Sequence, residues 1–172
     1  MENMFRDLKA NEIDVRIAQI SRKGVSLLLY KDARVDQNIL DETVGPYNWQ
    51  REHKELKGNI YCGISIYDKE NRMWVTKWDA GKESFTESEK GEASDSFKRA
   101  GVNWGIGREL YTSPFIWVNT EDCNIATNDK GKLECKDKFI VEAIQITNKV
   151  ITGLAIKNLK NKKRVFLYKE GW

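Results

Sequence analysis

Residues 47–79 carry the pattern that most restricts the fold of this chain. Three strand-like segments follow one another there: Tyr47–Lys54, Ile60–Tyr67 and Arg72–Asp79. Apolar residues occupy every second position from Ile60 to Ile66, which is the spacing of side chains on one face of a strand. The turns between these segments, Lys57–Asn59 and Asp68–Asn71, are short. Turns of this length join antiparallel neighbours. The sequence therefore predicts a three-stranded antiparallel meander.

A helix is predicted directly after the meander, from about Glu87 to Asn103. Thr86 and Glu89 stand at the spacing of a capping box, which marks a helix start. The apolar positions of this helix are Ala93, Phe97, Ala100 and Trp104. An apolar helical stripe needs a sheet to cover, and the preceding meander offers one. The predicted centre of the fold is thus a β-β-β-α unit.

The flanking regions complete an α+β fold class. The expected elements are an N-terminal helix over Phe5–Ala10, extended chain over Glu12–Tyr30 with a turn at Gly24, a helix over Ala33–Val44, a C-terminal hairpin of Phe139–Asn148 and Val150–Leu159, and a strand over Arg164–Tyr168. The 172 residues contain no internal repeat and no linker of Pro, Gly and Ser. A chain of this length forms one core, so a single domain over residues 1–172 is expected.

Composition excludes several classes of protein. No run of about 18 apolar residues is present, and the acidic N-terminus does not resemble a signal peptide. The three cysteines are an odd number without regular spacing, which is a poor disulfide framework. Cys123 and Cys135 flank a turn, but with His53 as the single histidine a four-ligand zinc site is hard to build. We expect an intracellular protein without membrane segment, metal or cofactor.

Positive charge is concentrated near the C-terminus. The chain has 29 Lys and Arg against 26 Asp and Glu, a net charge of only +3. From residue 149 to 169, however, the charged residues are all basic: Lys149, Lys157, Lys160, Lys162, Lys163, Arg164 and Lys169. Such a stretch fits a solvated strand edge protected by lysines and a phosphate-contacting surface equally well.

The predicted helix after the meander ends in a second basic group, Lys98 and Arg99. Acidic residues early and basic residues late in a helix suit its dipole, which explains the pair structurally. Glycines follow around Trp104, at positions 101, 105 and 107. Glycines let backbone come close to a phosphate chain or to a neighbouring strand, so they do not decide between a structural and a binding role.

Two runs in this region resemble the Rad52 family of single-strand annealing proteins, particularly its short bacteriophage and prophage members. They are VGPYNWQREHKELKGNIYCGISIYDKENRMWVTKWDAG and EKGEASDSFKRAGVNWGIG. The order of parts agrees as well: Tyr47-Asn48-Trp49, the three strands, Lys98-Arg99-Ala100, and Trp104-Gly105. The resemblance covers Ala33 to Phe115, about half of the chain.

The resemblance implies where single-stranded DNA is bound. Lys98 and Arg99 match the family's basic pair in a positively charged groove, while Val102 replaces a further arginine of better-studied eukaryotic members. Arg16 is the counterpart of an N-terminal arginine, with Arg22 and Lys23 as alternatives. Tyr30 matches a groove-lining tyrosine, although a core aromatic at a strand end is an equal interpretation. Lys90 and the C-terminal lysines are candidates to replace the missing charge.

The resemblance also implies a function, which is ATP-independent single-stranded DNA binding and annealing of complementary strands in recombination and double-strand break repair. Subunits of the family assemble into a ring or filament, here of about ten copies. The sequence contains no GxxxxGK[ST] loop for nucleotide binding. The implied setting is the cytoplasm of a bacterial host, with a phage exonuclease or a host single-strand binding protein as partner. We expect no counterpart of the C-terminal region with which eukaryotic members recruit a recombinase, so activity through that route is not implied.

Two other classes of function remain alternatives. A passive single-strand coating protein or an RNA-binding module would use the same basic and aromatic residues. A metal-dependent nuclease would use carboxylates from this region, namely Asp79, Glu83, Glu87 and Asp95. Tryptophans that can stack on bases, or belong to the core or a subunit interface, are Trp49, Trp74, Trp78, Trp104 and Trp117.

Overall fold

The computed structural model describes the backbone of residues 4–81 and 88–171, and the side chains of the same residues except 88–90. The described strands are β1 (Asp14–Ser21), β2 (Gly24–Tyr30), β3 (Trp49–Leu56), β4 (Asn59–Asp68), β5 (Met73–Ala80), β6 (Ile116–Asn119), β7 (Ile125–Thr127), β8 (Leu133–Cys135), β9 (Phe139–Thr147), β10 (Val150–Asn158) and β11 (Arg164–Lys169). The described α-helices are α1 (Ala33–Val44) and α2 (Ser88–Asn103), and short 3₁₀ turns occupy Ala10–Glu12 and Arg108–Thr112.

These elements form two compact units. The meander unit comprises the described residues of Met1–Arg6 and Ala33–Gly107, and the sheet unit those of Asp7–Asp32 and Arg108–Trp172. Each unit is built from two separate stretches of chain. The α+β fold class and the antiparallel meander predicted from the sequence are confirmed.

The meander is the three-stranded sheet of β3, β4 and β5, in that order. Its first turn is a two-residue connection in which Lys57 and Gly58 both have positive φ, 53° and 77°. Two such residues form the turn whose twist matches that of a β-hairpin. In the second turn, the Asp68 carboxylate accepts hydrogen bonds from the backbone of Glu70 and Asn71. Local sequence thus fixes both turns.

Helix α2 packs on one face of this sheet, which we call the covered face. Cys62 and Ile64 of β4 and Phe97 and Ala100 of α2 are completely buried there. The Trp104 indole Nε1 donates to the Ile64 carbonyl at 2.9 Å, closing the end of the layer. Burial of this apolar area is the main stabilising contribution to the meander unit.

The other face, which we call the open face, carries the alternate side chains. On β5 these are Trp74, Thr76 and Trp78, and their partners on β4 are Tyr67, Ser65 and Gly63. Trp74 and Trp78 are 42% and 37% exposed. No helix of the meander unit covers this face among the residues that the structure describes.

Helix α1 spans Ala33–Val44 as predicted from the sequence and packs against α2. Its buried residues are Asp36, Ile39 and Leu40. At Gly101 of α2 an added Cβ would lie 3.0 Å from the Asp36 carboxylate. Gly101 therefore permits close contact between the two helices, which is a structural reason for this glycine.

The sheet unit contains a six-stranded antiparallel sheet with strand order β11-β10-β9-β1-β2-β6, and a separate β7-β8 hairpin. A buried polar network lies beside it. The Asp137 carboxylate accepts hydrogen bonds from the side chains of Asn124 and Asn158 and pairs with Lys160. Burial alone would raise the pKa of Asp137, but these hydrogen bonds and Lys160 outweigh it and lower the pKa.

Cys123 and Cys135 of the sheet unit lie next to each other. Cys123 and Cys135 share a side-chain hydrogen bond, and burial raises the pKa of the Cys123 thiol to about 11. Both are free thiols. The placement of these residues at the β7-β8 hairpin agrees with the sequence, in which they flank a turn.

One predicted element is wrong: Phe5 to Lys9 forms no helix, and Ala10 only begins the short 3₁₀ turn Ala10–Glu12. The chain passes from the meander unit to the sheet unit between Arg6 and Asp7. The Leu8 backbone N–H donates to the buried Glu109 carboxylate at 2.7 Å instead of to a helical carbonyl. Long-range hydrogen bonding has replaced the local pattern. The predicted capping box at Thr86 and Glu89 lies outside the described side chains.

Neither helix in the described residues is long and apolar enough to cross a membrane.

Candidate nucleic-acid interface

Helix α2 carries two consecutive cations, Lys98 and Arg99, outside its fully buried stripe, and we call this pair the basic ridge. Phe97 and Ala100 of the same turn are fully buried, whereas Lys98 and Arg99 are half-buried. Helical spacing explains this difference in burial. Residues 97 and 100 are three positions apart and lie on one face of the helix, whereas residues 98 and 99 lie outside that face. The sequence thus leaves both cations partly accessible to solvent.

Arg99 is held by an acidic neighbour one turn earlier. Its guanidinium Nε lies 2.8 Å from an oxygen of Asp95, and both side chains are about one-third exposed. Partly exposed pairs at this helical spacing contribute only about 0.3–0.5 kcal/mol. Lys98 makes no ion pair within the described part of the chain.

Arg16 and Tyr30 lie together in the sheet unit. The register of the β1-β2 hairpin pairs Asp14 with Tyr30 and Arg16 with Leu28, so Arg16 is a diagonal neighbour of Tyr30. Both residues line one groove of about 380 Å³, which we call the Arg16 groove. Tyr30 is 41% exposed, so it is a surface residue and not a core aromatic.

Lys138 lines the same groove and was missed by the sequence analysis. It is exposed and directly precedes β9, which pairs with β1 between Asp14 and Ile140. This position depends on strand order in the six-stranded sheet. Its local sequence, with basic and acidic residues alternating from 134 to 138, gives no signal for a binding role.

The other predicted DNA contacts lie in the β1-β2 turn or outside the described side chains. Arg22 and Lys23 are exposed in the two-residue turn between β1 and β2. The side chain of Lys90 is outside the described side chains. Lys98 and Arg99 belong to the meander unit, whereas Arg16 and Tyr30 belong to the sheet unit.

The C-terminal basic residues do not form one uniform surface. Lys149 is buried, with its ammonium group 2.9 Å from Asp7 and 3.9 Å from the buried Glu109. Lys160 pairs with Asp137, and Arg164 pairs with Glu142 at 2.6 Å. These three cations serve packing and pairing in the sheet unit.

The structure separates the tryptophans into two groups. Trp49 donates from its indole to Asp41 and packs near Phe97, and Trp104 lies under Lys77. Trp117 lies over Gly24 and stacks on Phe115. Trp74 and Trp78 alone among these five are exposed residues in the described structure.

The carboxylates considered for a nuclease are engaged by neighbouring residues where they are described. Asp79 accepts a hydrogen bond from the Asn103 side chain, and Asp95 pairs with Arg99. Glu83 and Glu87 lie outside the described residues. Among the residues described, no group of three or more His, Cys, Asp or Glu side chains is placed to hold a metal ion.

A comparison with protein families adds to this description of the fold and the candidate site. Residues 1–129 match the Rad52/22 family of double-strand break repair proteins. This match covers more than half of the chain, so the chain belongs to that family. It is wider than the Ala33–Phe115 span in which the resemblance is visible by motif.

Two curated relatives carry the name single-stranded DNA-binding protein DdrA. The protein of Deinococcus radiodurans is 35% identical over 103 residues, which is 59% of this chain and 48% of the relative. The protein of Deinococcus deserti is 33% identical over 103 residues, with 59% and 50% covered. The match therefore spans about half of the length of each relative.

Proposed function

We propose that this protein binds single-stranded DNA without nucleotide hydrolysis and anneals complementary strands in recombination and double-strand break repair. The observation that supports this proposal most is the basic ridge of Lys98 and Arg99, partly exposed on α2 in a chain of the Rad52/22 family. The relatives named as single-stranded DNA-binding proteins support the DNA-binding part of the proposal.

The chemistry of the proposed site is phosphate recognition. Lysine and arginine neutralise phosphates irrespective of base sequence, so a strand of any sequence is bound with its base edges unread. Lys98 and Arg99 supply this contact on the meander unit. Arg16 and Lys138, beside the Tyr30 ring, supply a second contact on the sheet unit. Pairing with a complementary strand then provides the free energy for annealing, and the protein acts without catalysis.

Repetition of subunits allows a weakly basic chain to bind a polyanion. With a net charge of +3, a single copy neutralises few phosphates. A ring or filament of about ten copies places the same cations side by side along one strand. Val102, half-buried one turn after Lys98, leaves this ridge with two cations. We propose that residues 1–172 function as one annealing domain within each subunit.

Strand annealing distinguishes this proposal from a passive coating protein. Two complementary oligonucleotides with a donor and an acceptor dye are mixed with the protein, without ATP, and duplex formation is followed by energy transfer. An annealing protein increases the rate, whereas a coating protein slows pairing. Light scattering of the same samples, with and without DNA, is expected to show a large homo-oligomer; a strict monomer in both would contradict the ring or filament.

Incubation of end-labelled DNA with Mg²⁺ tests the nuclease alternative. We expect intact DNA, because Asp79 and Asp95 are engaged by Asn103 and Arg99. Cleavage that is lost in Asp79→Asn or Asp95→Asn would replace annealing with catalysis as the function of this region.

A further inference from the structure

We propose that the open face of the meander is a second contact site for single-stranded DNA, where Trp74 and Trp78 each stack against a base. This inference rests on the proposed function, since it assumes that single-stranded DNA is the ligand. It adds base contacts on the face of the sheet opposite α2 to the phosphate contacts of Lys98 and Arg99.

The two tryptophans are held in defined positions. The Trp74 ring contacts Tyr67 edge-on, with centroids 5.4 Å apart. The Trp78 ring lies over Gly63, where an added Cβ would come within 2.6 Å of the indole. Between them, the hydroxyl groups of Ser65 and Thr76 are hydrogen-bonded at 2.7 Å. Rings that are already ordered lose little conformational entropy when a base stacks on them.

Spacing along β5 suits an extended strand. Trp74 and Trp78 are four residues apart on one face, which corresponds to about 13 Å. Neighbouring bases in a duplex strand are only about 3.4 Å apart along the axis. The two rings must therefore contact bases that are not stacked neighbours. Bases between them are left exposed, which is the state that pairing with a second strand requires.

A lysine beside an aromatic ring on the open face suits a phosphate that neighbours a stacked base. The Lys54 ammonium lies 4.9 Å from the centre of the Trp78 ring, where it can contact the phosphate next to a stacked base. The pocket at this end of the sheet is lined by Lys54, Glu55, Leu56, Tyr61 and Trp78. The acidic Glu52 of this face is paired with Lys54 at 3.4 Å. Sheets with exposed aromatic rings and nearby cations are a recurring platform for single-stranded nucleic acid.

A comparison of two ligands tests base stacking specifically. Fluorescent oligothymidylate and an abasic oligomer of equal length are titrated with wild type and with the double variant Trp74→Ala/Trp78→Ala. We expect wild type to prefer oligothymidylate. The double variant should lose affinity for oligothymidylate on the order of tenfold or more, with little change for the abasic oligomer and an unchanged salt dependence.

Matched variants separate stacking from folding. Trp74→Phe/Trp78→Phe keeps aromatic rings and should retain most of the preference for bases. Met73→Ala removes an exposed apolar side chain from the same strand on the opposite face and should bind as wild type does. Circular dichroism checks the fold of each variant. If the alanine pair does not fold, quenching of tryptophan fluorescence by oligothymidylate tests stacking instead. The phenylalanine pair lacks the two stacked indoles and should show less quenching than wild type.

Three results would overturn the inference. Unchanged affinity of the alanine pair for oligothymidylate would exclude stacking, as would an equal loss for both oligomers. A change in oligomer size with base preference retained would assign the open face to contact between copies of this chain. Each of these can occur while wild type binds and anneals DNA, so each leaves the proposed function intact. A wild type that binds neither oligomer would refute both.

Discussion

The two faces of the meander are built from the same three strands but have opposite environments. On the covered face, Cys62 and Ile64 are fully buried beneath Phe97. On the open face, Trp74 and Trp78 retain about two-fifths of their accessible surface. Strand alternation produces both faces, so large apolar residues alone do not mark a core. The chemical type of these residues and their neighbours decide which face is packed against α2 and which face stays exposed.

The difference between the faces lies in the side chains that they offer. Aliphatic and thiol groups of β4 meet an apolar helical stripe and exclude water. Aromatic rings on β5 alternate with Thr76 and have Lys54 beside them, a mixture that tolerates water and presents flat π surfaces. The following predictions test this contrast, from the largest expected effect to the smallest.

Phe97→Ala should have the largest effect on stability. It removes a fully buried ring from the covered face and should lower the free energy of unfolding by roughly 3–5 kcal/mol, as measured by urea denaturation. Trp78→Ala, the matched change on the open face, should cost about 1 kcal/mol. Equal losses for the two variants would show that the open face is packed as tightly as the covered one.

Two glycine substitutions compare the faces at the level of single atoms. At Gly81 an added Cβ would lie 2.3 Å from the Glu92 backbone carbonyl oxygen, and at Gly63 it would meet the Trp78 side chain at 2.6 Å. Backbone in a packed helix cannot move as easily as an exposed ring. Gly81→Ala should therefore lower stability by about 1–3 kcal/mol, and Gly63→Ala by less, with a change in Trp78 fluorescence. Thermal unfolding that ranks them in the opposite order would contradict the assigned packing.

Lys98→Ala/Arg99→Ala tests the basic ridge of α2 against the fully buried stripe of the same helix. We expect unchanged stability and weaker binding of single-stranded DNA, because two phosphate contacts are lost. The slope of log K against log salt should become shallower by about 1.4, at roughly 0.7 for each contact. Asp95→Asn is the matched control: it removes a negative charge next to Arg99 and should strengthen binding. Unchanged affinity of the double variant would remove the basic ridge from the site.

The smallest effect should come from pH and should concern the sheet unit. The folded-state pKa of Asp137 is lowered, so its stabilising contribution is present above the unfolded pKa of about 3.9 and is lost as pH falls through the folded value. Asp137→Asn should therefore flatten the loss of stability below about pH 4. Acid denaturation followed by circular dichroism measures this. An acid limb identical to that of wild type would show that Asp137 is not the responsible group.

Local sequence was sufficient for much of the meander unit. The alternation from Ile60 to Ile66 and the Lys57-Gly58 turn set the sheet, and helical spacing kept Lys98 and Arg99 out of the fully buried stripe of α2. The β1-β2 hairpin also brings Arg16 and Tyr30 together by register. These features depend on contacts between residues that are close in sequence, which is why patterns predict them.

Long-range contacts account for what was missed. The N-terminal helix is absent because Leu8 donates to Glu109, a hydrogen bond across about a hundred positions that no local pattern shows. Lys138 enters the Arg16 groove because β9 pairs with β1, and Lys149 is buried against Glu109 for a similar reason. The exposure of Trp74 and Trp78, too, follows from which face α2 covers, and alternation alone does not determine that.

The most direct test of the account is the rate at which two complementary oligonucleotides form a duplex in the presence of wild type, without ATP. The Lys98→Ala/Arg99→Ala variant is measured beside it at the same protein and salt concentrations. We predict that wild type pairs the strands faster than the protein-free reaction and that the variant loses most of this acceleration. Pairing that is slowed by wild type, or left at the protein-free rate although DNA is bound, would contradict annealing as the function of this chain.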